Sequence, residues 1–306
     1  ERIRVSAQLL DATTGAHAWA QTYERPLNPK DIFAVQDEIK AKIVGTIGGW
    51  QGAIARAAWA SVQRNPPASL DAYQCTLRGM AYYDRIVPDE HLQVRACLEK
   101  AVENEPNYAD AWGWLGAAYL DEYRFTFNPR PDPLGRAQAA ARRAVELAPN
   151  APSSHRALAL VYFFRKDPAF FSEVDRALEL NPNDASSLLE LGHYIALSGR
   201  WEQSLAMIEK GLALDPNPQR TVYFTLSYYY YTQRQDYERA QSYALKIQMP
   251  GWFWYHALLA WNLGQLGKQA EAKAALAELE QVYPDFGAHA REELGKWLWR
   301  DQDIEH

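Results

Sequence analysis

Residues 175–216 read DRALELNPNDASSLLELGHYIALSGRWEQSLAMIEKGLALDP. A helical stretch ends at Pro182, two polar residues follow, and two further apolar-periodic stretches meet near Gly199 before the passage closes on Pro216. Proline has no amide donor and clashes with the turn before it, so each proline ends the helix in front of it. Gly192 is the small residue that lets two helices approach closely. The passage predicts a helical hairpin bounded by prolines.

The same text recurs along the chain. Pro182, Pro216, Pro250 and Pro284 lie 34 residues apart, and Pro149 precedes Pro182 by 33. With proline at about 5% of residues, three successive hits at one period have a chance probability on the order of 10⁻⁴ per starting proline. Small residues keep step at Gly116, Ala159, Gly192, Ser227 and Ala260, and Gly79 with Pro106 adds one more unit. One helix pair cannot bury its own apolar stripe, so the pairs must stack and share a core. Six pairs are expected between about Leu70 and Pro284.

These residues resemble the tetratricopeptide repeat (TPR) family. The second unit carries Trp112, Leu115-Gly116, Tyr119, Ala137, Ala141, Ala144 and Pro149. The fourth carries Leu188, Leu191-Gly192, Gly199, Trp201, Ser204, Ile208, Gly211 and Pro216, and the last carries Leu259-Ala260, Gly267, Ala272, Leu276 and Pro284. The pattern departs in unit two, where FTFNPRPDPLG (125–135) is inserted, and in unit five, where the turn and second helix are irregular. The resemblance implies a mainly α fold: a TPR superhelix over 68–286 with a capping helix at 287–306. The insertion reads as a stiff surface loop or a flap over the groove mouth.

The front of the chain has another period. Ile3, Val5, Ala7 and Leu9 alternate with Arg4, Ser6 and Gln8, and Asp11–Gly15 supplies a turn before HAWAQTYE (17–24). This reads as a β-hairpin over 2–24. Asn28-Pro29-Lys30-Asp31 looks like a helix start, Gly48-Gly49 a break, and Asn65-Pro66-Pro67 a separator. The text RIRVSAQLLDATTGAHAWAQTYERPL…DIFAVQDEI resembles the closing hairpin and helix of a TolB-like α/β module. SLDAYQCTLRGMAYY (69–83) then resembles its junction with TPR repeats. Residues 1–64 are therefore expected to be the C-terminal part of such a module. Glu1 in place of Met suggests an excised piece of a longer protein. The resemblance implies that a class III adenylate or guanylate cyclase domain precedes it, or a winged-helix DNA-binding domain.

The totals set limits on chemistry. The chain has 306 residues, a net charge of −6, 48% hydrophobic and 23% charged residues. Nothing here suggests a nucleic-acid partner or an anionic membrane, and no apolar run reaches the ~20 residues of a membrane span. No phosphate loop, nucleophile elbow or zinc-protease motif occurs, and the seven histidines are scattered. No catalytic residue, metal or cofactor is assigned, and this segment is read as no enzyme. Cys75 and Cys97 read most simply as small core residues of unit one, with a redox pair as the alternative. The absence of a signal and the cyclase-linked arrangement point to the cytoplasm.

The aromatic residues stand out: 11 Trp, 18 Tyr and 10 Phe. In the TPR family the first helix of each pair lines a concave groove. Carried over, that rule assigns Tyr73, Met80 and Tyr83 in unit one and Arg156, Leu160 and Phe163 in unit three. It assigns His193 in unit four, Phe224, Tyr228 and Tyr231 in unit five, and Trp254 and Trp261 in unit six. Each ring could simply pack core. As a set, open rings would grip a partner. With Arg156 the one obvious inward cation, the expected occupant is an apolar protein segment, the protein's own N-terminal domain, or a small neutral or apolar ligand. The functional expectation is a regulatory interaction region acting on an attached cyclase. The alternative is an assembly module, homo-oligomeric through the hairpin edge.

Overall fold

The computed structural model describes residues 2–12, 15–26, 32–49, 52–64, 70–84, 86–215, 221–247 and 251–301. Pro216, Pro250, the 28–31 helix start and the 65–67 separator lie outside the described residues.

Two strands open the chain, β1 (Arg2–Leu10) and β2 (His17–Pro26), paired antiparallel with Val5 opposite Tyr23. On β1 the apolar residues Ile3, Val5, Ala7 and Leu9 are half-buried while Arg4, Ser6 and Gln8 are exposed, as the period-two pattern demands. Helices α1 (Ile32–Ile47) and α2 (Ala53–Arg64) follow, separated at Gly48-Gly49.

Six helix pairs come next. They are α3 (Ala72–Tyr82) with α4 (Pro88–Asn104), α5 (Ala109–Arg124) with α6 (Pro133–Leu147), and α7 (Pro152–Phe164) with α8 (Ala169–Leu180). Then come α9 (Ala185–Leu197) with α10 (Trp201–Leu214), α11 (Thr221–Gln233) with α12 (Tyr237–Ala244), and α13 (Phe253–Gln265) with α14 (Gln269–Val282). A final helix, α15 (Phe286–Trp297), closes the described chain. Pro106, Pro149, Pro182 and Pro284 each stand two residues past the end of a second helix, where a residue that cannot continue the helix belongs. Starts are chemically marked as well: Asp71 and Gln74 form a reciprocal capping box on α3, and Asp184 accepts from the amides of Ser186 and Ser187 on α9.

The small residues do what their spacing predicts. A Cβ on Gly116 would sit 3.2 Å from the Ala137 carbonyl oxygen and the Ala141 nitrogen; one on Gly192 would sit 3.2 Å from Ile208 and Met207. Either would force the pair apart. The core they allow runs continuously from Ala72 to Trp297.

Two corrections arise. Cys75 and Cys97 are not a pair of simple core residues: they form a disulfide between α3 and α4, with Cα atoms 5.5 Å apart. The alternative of a redox pair is the one the structure carries, because one helix pair brings together residues 22 apart in sequence. The insertion after α5 is no plain surface loop either, since Phe125 is buried against Trp252 and Trp297.

Helix α1 lies along the superhelix at its fourth pair, whereas α2 packs on α3 of the first. A Cβ on Gly45 of α1 would be 3.1 Å from the Asn183 carbonyl oxygen and 3.3 Å from Leu214 Cβ. No helix among the described residues is long and apolar enough to cross a membrane.

Candidate functional site

The first helices of the pairs carry the twelve residues named above, with Tyr83 just past the end of α3, and the structure sorts them into two groups. Tyr73 (51% exposed) and Trp261 (43%) are open, and Met80, Phe224 and Tyr231 are half-buried. Tyr83, Arg156, Leu160, Phe163, His193, Tyr228 and Trp254 are buried. For that second group the expectation of open rings is corrected. The repeat rule says which way a side chain points, not whether something lies on top of it.

What lies among them is a polar lattice. Arg124, at the end of α5, donates to the Tyr83 hydroxyl at 2.8 Å and the Tyr194 hydroxyl at 2.9 Å, and pairs with Asp121. Tyr83 in turn donates to Asp121 at 3.0 Å. The Arg124 guanidinium also lies 4.8 Å from the Phe125 ring centroid and 6.0 Å from that of Phe164, an aromatic cage for a desolvated cation. Burial works against its charge, yet the Asp121 carboxylate beside it holds its pKa well above the usual guanidinium value. Burial, helped by the Arg124 charge, pushes His193 down to about 3, so its ring is neutral at physiological pH. Burial lifts the Tyr194 hydroxyl to about 12. Arg156, the expected inward cation, is neutralised by Glu190 at 2.9 Å. This lattice ties units one to four together.

Further along, Tyr228 donates to the Leu258 carbonyl at 3.2 Å, His193 packs on Tyr229, and Tyr231 stacks on Tyr243. Trp261 meets only the edge of Tyr237 among the ring contacts found. Phe224 lies under the Lys246 ammonium at 5.6 Å.

The C-terminal segment covers the middle of this face. Trp297 sits with its ring centroid 5.0 Å from Phe164, 5.6 Å from Trp252 and 6.1 Å from Trp254. Trp299 stacks on Phe163 at 5.5 Å. Its indole donates to the Phe163 carbonyl at 3.0 Å and its amide to the Leu197 carbonyl at 3.1 Å. Trp299 is thus seated. Sequence reasoning missed Asp121, Arg124, Tyr194 and the role of Trp297 and Trp299. The signal that could have found them is aromatic residues off the repeat pattern, at 125–127 and 297–299. Among the described residues no group of three or more His, Cys, Asp or Glu could hold a metal ion.

No known family profile matches this chain. A protein of Rhizobium meliloti (strain 1021) named "Putative adenylate cyclase 3" is 32% identical over 162 residues, covering 52% of this chain and 26% of that protein. The chain therefore spans about a quarter of that relative. Among solved structures, the human IFIT1 dimer with m7Gppp-AAAA is 15% identical with a TM-score of 0.56, covering 78% of this chain and 57% of that one. The Cut9-Hcn1 hetero-tetramer of the APC/C is 14% identical with a TM-score of 0.54, covering 80% of this chain and 46% of that one. At such identities the likeness speaks to fold alone, and it agrees with the proline ladder. The chain is a TPR superhelix.

Proposed function

We propose that this chain is a non-catalytic interaction region that binds a protein segment along the first-helix face and biases an attached nucleotide cyclase. The observation that carries the reading is the set of open and half-open side chains on the first helices, the rings of Tyr73, Phe224, Tyr231 and Trp261 and the Met80 thioether, on a stacked scaffold. Rings of that kind supply large contact area at low entropic cost. On this face a small ligand is disfavoured: the cavities beside His193 and beside Arg156 each offer about 10 Å³, room for one water, and the roomier hollow of about 850 Å³ lies elsewhere, between α2 and the α3–α4 pair. The named cyclase relative supports the attached output domain.

The test titrates a class III cyclase catalytic domain with the full chain and with the Tyr73→Ala/Trp261→Ala variant. Both rings are exposed, so the variant keeps its helical content. Binding and altered cyclase turnover that weaken in the variant support the reading. Absence of both with the wild-type chain ends it.

A second reading, assembly through the front end, is favoured by exposed Phe33 (77%), Ile32, Ile54 and Leu10. Leu10 and Ile54 line one hollow, and adjoining exposed apolar groups mark contact surfaces. Under that reading Phe33→Ser lowers the sedimentation coefficient of the chain; an unchanged coefficient removes it.

A further inference from the structure

This inference rests on the interaction reading and names how the face is regulated. We propose that Trp297-Leu298-Trp299 is a built-in ligand of the first-helix face, and that the segment it keeps out carries two aromatic side chains one residue apart on an extended backbone.

The tail is bound the way a peptide is bound. Leu298 is extended (φ −97°, ψ 135°), so Trp297 and Trp299 reach different parts of the same face. Trp299 fits a slot between Phe163 and Phe171, and its two N–H groups satisfy carbonyls at the C-terminal ends of α7 and α9. Helix C-termini leave carbonyls such as that of Leu197 without an intrahelical donor, while that of Phe163 also accepts from the Lys166 amide at 2.9 Å. Lys166 donates to the Leu298 carbonyl at 2.9 Å and fixes the backbone between the two rings. Main-chain hydrogen bonds with pockets for alternate side chains are how extended peptides are recognised.

The seat is also built for exchange. Of the twelve residues of α15 only Glu293 and Trp297 are buried; its first turn rests on α13 through Phe286, 5.4 Å from Phe253, and its last turn and Trp299 rest on the face. Elements with so little burial open first. Around Trp297 the indole N–H groups of Trp252, Trp254 and Trp297 itself are buried with no acceptor. Buried donors are normally paired, so the docked tail is an imperfect occupant. An incoming segment that brings main-chain carbonyls to Trp252 and Trp254 gains what the tail lacks.

The experiment uses the full chain and a fluorescein-labelled peptide copying residues 294–301, read by anisotropy. Trp299→Ala empties the outer slot, and binding is expected at least roughly tenfold tighter than to wild type, where the tail competes. Adding Lys166→Ala to that variant should weaken binding again. Equal affinity of wild type and Trp299→Ala overturns the proposal. Should Trp299→Ala not fold, wild type decides: trypsin cuts after Lys296 and Arg300, and excess unlabelled peptide should speed that cleavage severalfold by displacing the tail. An unchanged rate overturns the proposal. A chain that alters cyclase turnover yet ignores the peptide keeps the binding reading and ends this one. Peptide binding with no effect on cyclase does the reverse.

Discussion

Helix α9 is gripped at both ends by parts of the chain outside the six pairs, and the two grips differ in kind. At its N-terminal end α1 comes in through glycine: Gly45 lies against Asn183 and Leu214, and Gly49 against Ser186 and Asp184. At its C-terminal end the grip is one main-chain hydrogen bond, from the Trp299 amide to the Leu197 carbonyl, while the Trp299 ring is seated beside it on Phe163 of α7. Between them every residue of α9 is buried, as expected of a helix surrounded on all sides rather than lying on a surface. Glycine contacts that leave no room for a Cβ are close and unforgiving. A ring on a short tail can leave and return. The front end therefore behaves as part of the scaffold, and the tail as something seated on it.

The comparison breaks most severely if α9 loses its own footing. Asp121→Ala leaves Arg124 buried with only the hydroxyls of Tyr83 and Tyr194 as partners, and an uncompensated buried charge costs about 3–5 kcal/mol. The urea midpoint should fall accordingly, and both grips should loosen together; an unchanged midpoint would mean the lattice is not holding the face. A narrower change is Gly45→Leu. Overpacking a close contact costs about 1–3 kcal/mol, and amide exchange should rise in α1 while the tail stays protected. Equal loss at both ends would make the two grips one unit. The smallest effect concerns pH. Hydrogen bonds from Arg25 of β2 and Lys42 hold the Glu38 carboxyl at about 2, below its usual 4.5. A depressed carboxyl stabilises above its unfolded value, so this contribution is complete above about pH 4.5 and is lost as pH falls toward 2. Glu38→Gln should remove that pH dependence from the hairpin–α1 attachment at a cost of about 0.2–1 kcal/mol, because the pair is exposed. The readout is hairpin amide exchange between pH 5 and 3; an identical profile in the variant would assign the dependence elsewhere.

The pairs were legible because their causes are local. Pro106, Pro149, Pro182 and Pro284 act on the turn before them, and Gly116 and Gly192 act on the partner helix a few residues on. The alternation of Ile3, Val5, Ala7 and Leu9 is equally local. The face was harder, because its occupancy is set by curvature. Phe163 meets Trp299, a residue 136 positions away, and Phe125 meets Trp252 and Trp297. No period in the sequence encodes those meetings. Tyr228 and Trp254 read as groove rings although their facing alone is periodic: their burial depends on what the following elements lay on them, Leu258 of the next pair for Tyr228 and Trp297 of α15 for Trp254. Arg124 escaped because it stands at the last position of α5, where the repeat rule assigns nothing.

The most direct measurement is hydrogen–deuterium exchange of the wild-type full chain, alone and with excess of the 294–301 peptide. The account predicts that residues 297–301 exchange orders of magnitude faster than the amides of α7 and α9, and faster still with peptide, while α9 keeps its protection. A tail that exchanges as slowly as α7 and α9, and is indifferent to the peptide, would show that Trp297 and Trp299 are permanent core and that the first-helix face is closed for good.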